Sequence, residues 1–412
     1  MRLFLGFSLA ISAVIALSSL LSAGLVQREV FVEICELVAE RFYEDSQQLQ
    51  DWGQSCIHEQ ARRMPLWTSR RDFLRRAQQS LDSLGVSHLN IYSPPERRRL
   101  WQGEASETGI RARFVEGELV IYKLLSGSPA EAAGLQVGDR LLQLNSRPVY
   151  SSWQAETHPG LYRIQRGKDL HDIQVEVAEL KVDDSPYLVS LDSQAAVLRI
   201  SSFRSEYFKR QDWLNLVEQL GSYSKLVIDI RGNLGGNFVA MLRALSPFFC
   251  EGTEVGSIRQ PRWPETQQAW SLKDSLDEFE QLDQLSLHSV IFLKTFSDYG
   301  CFKGPVTVLM DSETKSVAEI FAQSFYLRNL SRVWGVSTAG DVILSVWYGL
   351  HRLGPGYSLS IPEALFETPE ALRLEGRGVW PQRMLFYELA EALQGQDSWV
   401  LRALEPMESK AP

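Results

Sequence analysis

Lys225-Leu226-Val227-Ile228-Asp229-Ile230-Arg231-Gly232-Asn233-Leu234-Gly235-Gly236 is the stretch on which the fold turns. It opens as a short apolar run rich in branched side chains, the pattern of a strand buried on both faces. Two glycines close it, and glycine lets a backbone turn sharply and bring its amides close to a ligand. Working outward, Ala196-Val197-Leu198-Arg199-Ile200 and Pro305 to Met310 read as further buried strands. Between them Trp213, Leu216, Val217 and Leu220 recur at helical spacing. Strands alternating with helices from about Ala195 to Leu393 predict an α/β domain. The polar stretch Gly252 to Leu287, bracketed by Cys250 and Cys301, reads as an irregular insertion.

Upstream the pattern changes. Gly109 to Phe114 and Leu119 to Leu124 predict strands, and Ser126-Gly127-Ser128-Pro129 breaks them. A short helix at Ala130 to Ala133, the turn Gly134 to Asp139 and the strand Arg140 to Leu144 follow. Earlier still, Val30, Ile34, Leu37, Val38 and Phe42 fall at helical spacing, and Thr68-Ser69 opens a second helix carrying Phe73, Leu74 and Ala77. The region to about Leu100 is therefore expected to be mainly helical. Leu3 to Val26 carry no charge, which predicts either a secretory leader or a retained membrane anchor.

Composition narrows the function classes. A net charge of −9, with no basic stripe, argues against nucleic acid as a partner. The four cysteines allow two disulfides in three connectivities, and the local pairs Cys35–Cys56 and Cys250–Cys301 are expected because each closes a loop within one domain. Four buried thiols are the alternative. No Cys/His cluster suggests a metal site.

Three segments carry the chemistry. Asp229 to Gly236, DIRGNLGG, resembles the D-x-R-x-N-x-G-G signature of the tail-specific, or C-terminal processing, serine peptidases. Val308 to Ile320, VLMDSETKSVAEI, resembles their nucleophile stretch, in which a Ser stands three residues before a Glu at a helix start. The resemblance implies Ser316 as nucleophile and Glu319 as the matching Glu, with amides near Gly235, Gly236 and Val317 forming an oxyanion hole. Taken alone, Ser316 would read as a helix cap; Ser312 and Thr314 are weaker candidates. The region from Glu107 to Asn145 resembles a PDZ domain, whose exposed strand edge pairs with an extended peptide. Gly109 and Ile110 would then hold the peptide's terminal carboxylate. A PDZ fold kept only as a spacer is the alternative.

One departure matters. Peptidases of the Ser–Lys branch place a basic Lys on a turn after the nucleophile, and here Ser337-Thr338-Ala339-Gly340-Asp341 puts an acid there. Lys315, beside Ser316, is expected to point elsewhere on the helix start. A second branch, similar to the tricorn protease core, uses Ser, His, Ser and Glu. Ser87-His88 and Glu375, the latter in LEGRGVWPQ, stand where that branch has its partners. Histidine suits the role, since its pKa lies near working pH.

These resemblances imply a crotonase-like (ClpP/crotonase-type) α/β catalytic domain at 190–396, following an inserted PDZ domain at 101–182 and a helical segment at 28–100, with a leader or anchor at 1–27 and a tail at 397–412. They imply an exported, periplasmic or extracytoplasmic serine peptidase that needs no cofactor and recognises proteins or peptides by their free C-termini. Residues 3–26 would attach an uncleaved chain to a membrane. The rival expectation is a degenerate relative that binds peptides without cutting them.

Overall fold

The computed structural model describes residues 2–405 except 251, 262–269, 275–276, 278–279, 281–282 and 285–286, with side chains from residue 21 onward. The body is a mixed α/β fold built on two six-stranded sheets. In the first, Tyr187–Ser190, Ala195–Arg199, Lys225–Asp229, Val306–Met310, Ser331–Gly335 and Arg383–Met384 lie side by side in that order. All neighbours are parallel except the first pair.

A parallel sheet must be covered on both faces, and alternation supplies both covers. Leu198, Ile228 and Val308 enter the main core with Trp213, Met241 and Phe321 from the helices Arg210–Leu220, Phe238–Phe249 and Val317–Ser324. Val197, Val227 and Leu309, one residue out of phase, meet Leu385, Trp399 and Ala403 from the C-terminal segment.

The second sheet is organised by the long strand Ser358–Glu367. Ile343–Gly349 pairs along one side of it, while Asn90–Tyr92 and Glu254–Arg259 share the other. The strand Glu254–Arg259 corrects the expectation that 252–287 is only an irregular insertion. Its Ser257 is buried among apolar neighbours, which hides the alternation that a sequence pattern needs.

Residues 110–175 form a separate antiparallel sheet in the order Ile110–Val115, Glu118–Leu124, Arg140–Leu144, Gly160–Arg166, Asp169–Val175. Its own core includes Ile110, Ile121, Leu141 and Tyr162. A two-stranded ribbon, Glu104–Glu107 against Ala178–Lys181, closes its neck.

The N-terminal region is helical, with Arg2–Arg41, Gln47–Ser55 and Arg70–Asp82 as its principal helices. Ser69 caps the third through the Asp72 amide at 3.1 Å. Val30, Ile34 and Phe73 pack with Leu350, Leu359 and Ile361 of the body, so this region shares a core with the second sheet. Cys35–Cys56 and Cys250–Cys301 are both disulfide-bonded, with Cα separations of 5.8 and 4.6 Å. Among the described residues, no helix is long and apolar enough to cross a membrane. The expected leader or anchor at 3–26 falls largely on residues whose side chains lie outside the description.

Candidate active site

Ser316 stands between the buried strand Val306–Met310 and the helix Val317–Ser324. Its backbone, at φ 58° and ψ −131°, lies in a region that residues with a side chain rarely enter. Surrounding hydrogen bonds hold it there. The Ser316 amide donates to the Asp341 carbonyl at 2.9 Å and to Glu319 Oε1 at 3.1 Å, and the Lys315 amide donates to the Asn233 carbonyl at 2.9 Å. Glu319 is fully buried and also accepts from Thr338 Oγ1 and from the Gly340 and Asp341 amides at 2.8 and 2.9 Å. Burial pushes its pKa up to about 7, against the pull of those donors. Glu319 thus ties the 338–341 turn to the Ser316 turn, and Thr338 and Gly340 are partners that sequence reading had not singled out.

The glycine turn packs directly against Ser316. A Cβ on Gly235, whose φ is 96°, would fall 2.7 Å from the Ser316 Cβ; one on Gly236, at φ 143°, would fall 2.5 Å from the Phe203 backbone. Both positions therefore require glycine. The expected oxyanion donors divide. Gly235 donates to Asn233 Oδ1 at 2.8 Å, so its amide is already engaged and the expectation for it is corrected. Among the described residues, the Gly236 and Val317 amides have no acceptor. Asp229 and Arg231 of the same signature form a buried pair at 2.6 Å. Burial alone would raise the Asp229 carboxyl, yet Arg199 and Arg231 hold it well below the usual range.

His88, Ser87 and Glu375 come together from segments far apart in the chain. Pairing of Asn90–Tyr92 with Ser358–Ser360, and a bond from Ser360 Oγ to the His88 carbonyl, anchor the His88 loop on the body. Glu375 accepts the Ser87 amide at 3.0 Å, the Ser87 hydroxyl at 3.0 Å and the Val342 amide at 2.7 Å. Ser87 Oγ lies 2.9 Å from His88 Nδ1. The hydroxyl has one proton and gives it to Glu375, so it accepts from His88 Nδ1–H and leaves Nε2 with a free lone pair. Like Ser316, His88 has a positive φ, 59°. Desolvation lowers its pKa, an effect partly offset by Asp341 and Glu375.

Lys315 Nζ pairs with Asp341 Oδ2 at 2.8 Å, the residue whose amide is also held by Glu319.

His88, Ser316, Gly235, Gly236 and Val317 all line one cleft of about 1240 Å³. The same cleft is lined by Arg111 to Val115 of the strand Ile110–Val115, the edge strand of the separate sheet. Of the two amides expected to form the carboxylate loop at the start of that strand, one is engaged and the other has no acceptor among the described residues. The Ile110 amide donates to the buried Thr108 Oγ1 at 3.1 Å, and Gly109 is backed against Ser128.

Comparison with known proteins bears on this arrangement. Residues 194–384 match peptidase family S41, and residues 120–156 match the PDZ domain. A probable CtpA-like serine protease of Staphylococcus aureus (strain N315) is 19% identical over 288 residues, covering 68% of this chain and 52% of the relative. The chain thus spans about half the length of the staphylococcal relatives it matches. A carboxyl-terminal-processing protease of Synechocystis sp. is 22% identical over 404 residues, covering 92% of this chain and 86% of the relative. In fold the chain is similar to mature CPAF, with a TM-score of 0.59 at 13% identity over 92% of this chain and 96% of the other. It is likewise similar to the photosystem II D1 C-terminal processing protease, with a TM-score of 0.52 at 15% identity over 90% and 98%. The body that keeps DIRGNLGG against a strained serine is thus similar to peptidase family S41 over residues 194–384, and the small sheet that lines the same cleft is similar to the PDZ domain over residues 120–156.

Proposed function

We propose that the chain is an exported serine peptidase that hydrolyses peptide bonds through an acyl-enzyme on Ser316. The observation that carries the reading is the His88–Ser87–Glu375 hydrogen-bond chain opening onto the cleft that Ser316 lines. His88 Nε2 takes the Ser316 proton during attack and returns it to the leaving amine. Ser87 and Glu375 fix the tautomer and stabilise the imidazolium as it forms. The Gly236 and Val317 amides, with no other acceptor among the described residues, suit the developing oxyanion. The two-sheet body is read as crotonase-like. The peptide lies extended along the free edge of Ile110–Val115, where main-chain pairing supplies affinity. The apolar run 3–26 and the two disulfides favour an oxidising, extracytoplasmic setting.

A fluorophosphonate probe tests the reading. Wild type should be labelled at Ser316 and should cut extended peptides, while Ser316→Ala and His88→Ala should do neither. A folded wild type that binds peptide but is neither labelled nor active would make the chain a peptide-binding relative.

A further inference from the structure

The part of the cleft lined by the separate sheet carries one feature that the proposed chemistry does not use. The strands Ile110–Val115 and Glu118–Leu124 pair with a register shift: Arg111 faces Lys123 but Ala112 faces Ile121, so Tyr122 is an extra residue. Such a bulge re-aims side chains, and here both Tyr122 and Lys123 line the cleft.

The charges around Lys123 are otherwise matched. Arg111 is held by Glu107 at 2.9 Å and Arg204 by Asp184 at 2.7 Å. Arg199 and Arg231 share Asp229, at 2.7 and 2.6 Å, and Arg231 also takes Asp397 at 2.7 Å. Lys123 has no carboxylate within ion-pair distance among the described residues. Arg113 is satisfied differently, between the rings of Tyr122 and Tyr387 at 3.6 and 4.1 Å. Its charge adds to the same wall without a carboxylate at contact. Burial, then Arg199 and Arg111, lower the Lys123 pKa against the opposing pull of Asp184 and Asp229, neither of which is at contact.

We infer that Lys123 is the anion receptor of the cleft and pairs with a carboxylate of the bound peptide, making this wall a determinant of substrate choice. The inference rests on the peptidase reading of the same cleft. The shared chemistry is a peptide carboxylate, either the free C-terminus or an Asp or Glu side chain. A charge-assisted contact made on a half-desolvated ammonium raises affinity and fixes which stretch of peptide lies beside Ser316.

The test uses fluorescent peptides of one sequence in three forms: C-terminal acid with internal Gln, C-terminal amide with internal Glu, and amide with Gln. Anisotropy on the full chain carrying Ser316→Ala reads binding without turnover. At least one carboxylate form should bind about tenfold more tightly than the neutral form. Whichever form it is identifies the source. Adding Lys123→Met should erase that difference, Lys123→Arg should restore it, and Lys123→Glu should favour an internal Lys instead. Equal binding of all three forms, or a preference that survives Lys123→Met, overturns the inference. The Arg variant also guards against misfolding, since it retains the charge and much of the stem. Should discrimination depend on Lys123 in a wild type that neither labels nor cleaves, the inference stands and the peptidase reading falls.

Discussion

Two glycine turns in this molecule look alike in sequence and differ in what their amides can do. At Gly235-Gly236 the side chain of Asn233 engages only the first amide, and the second, like the Val317 amide, has no acceptor among the described residues, both residues lining the cleft. At Gly109-Ile110 the hydroxyl of Thr108 engages the Ile110 amide, and Ser128 fills the space behind the glycine. Each turn thus has one amide taken by a neighbouring side-chain oxygen, and the amide left without an acceptor among the described residues is the second of the pair in one turn, Gly236, and the first in the other, Gly109. The difference lies in which amide that oxygen takes.

The comparison can be broken most forcefully at Ser316. Ser316→Ala and His88→Ala should each lower kcat/KM by about ten-thousandfold, since groups that act as a unit fail together. Circular dichroism and melting should show the fold retained. A His88→Ala protein with full activity would mean that the Gly236–Val317 side of the cleft works with a different base.

The next effect in size sharpens the Gly235-Gly236 turn. Gly235→Ala drives a methyl to 2.7 Å from the Ser316 Cβ. Displacing the nucleophile by even a fraction of an ångström should cost about a hundredfold in kcat. Single-turnover kinetics with KM measured separately would show whether the loss lies in chemistry, as expected, or in binding.

The Gly109-Ile110 turn yields a smaller change. Thr108→Val removes the acceptor for Ile110 and the donor to the Ala155 carbonyl at 2.7 Å. The separate sheet should lose about 1–3 kcal/mol, measured by denaturant melting. Catalysis of a short peptide should change little, because the affected amide belongs to the separate sheet with its own core and makes no bond to the Ser316 turn. A variant with newly strong preference for free C-termini would show that the Thr108 hydroxyl alone keeps the Ile110 amide from a carboxylate.

The smallest effects concern pH. His88 must be neutral to accept a proton, and its pKa is lowered by desolvation, so activity should rise with pH through a midpoint below about 6.5. The signs of its neighbours are opposite. Asp341 raises the His88 pKa, so Asp341→Asn should move the acid limb to lower pH. Lys315 lowers it, so Lys315→Met should move the limb to higher pH. pH–kcat/KM profiles would read both shifts, and a shift of both variants in one direction would contradict the arrangement.

Much of this was legible in the chain. The apolar run 225–230, the SPAEAAGL turn and strand Arg140–Leu144 announce themselves because their periodicity and breakers are local. Ser316 and Gly236 were singled out by the resemblance of their two segments, each lying where a buried strand turns into a helix. The strand Glu254–Arg259 was missed because a buried serine interrupts its pattern. The Lys315–Asp341 pair was missed because helix-start direction alone does not say what lies 26 residues ahead.

By itself, the sequence marked three central strands of the parallel sheet and the helices between them, and its resemblances named Ser316 and the residue types of the proposed relay. The strands depend on local spacing, and the relay types on chemistry carried by single side chains. Only the tertiary structure decided that Ser87 meets Glu375 across 288 positions, which amides are still open, and that the bulge at Tyr122 turns an unpaired Lys123 into the cleft. Those outcomes follow from strand register and from competition among neighbouring donors and acceptors, and both exist only once distant segments have packed together.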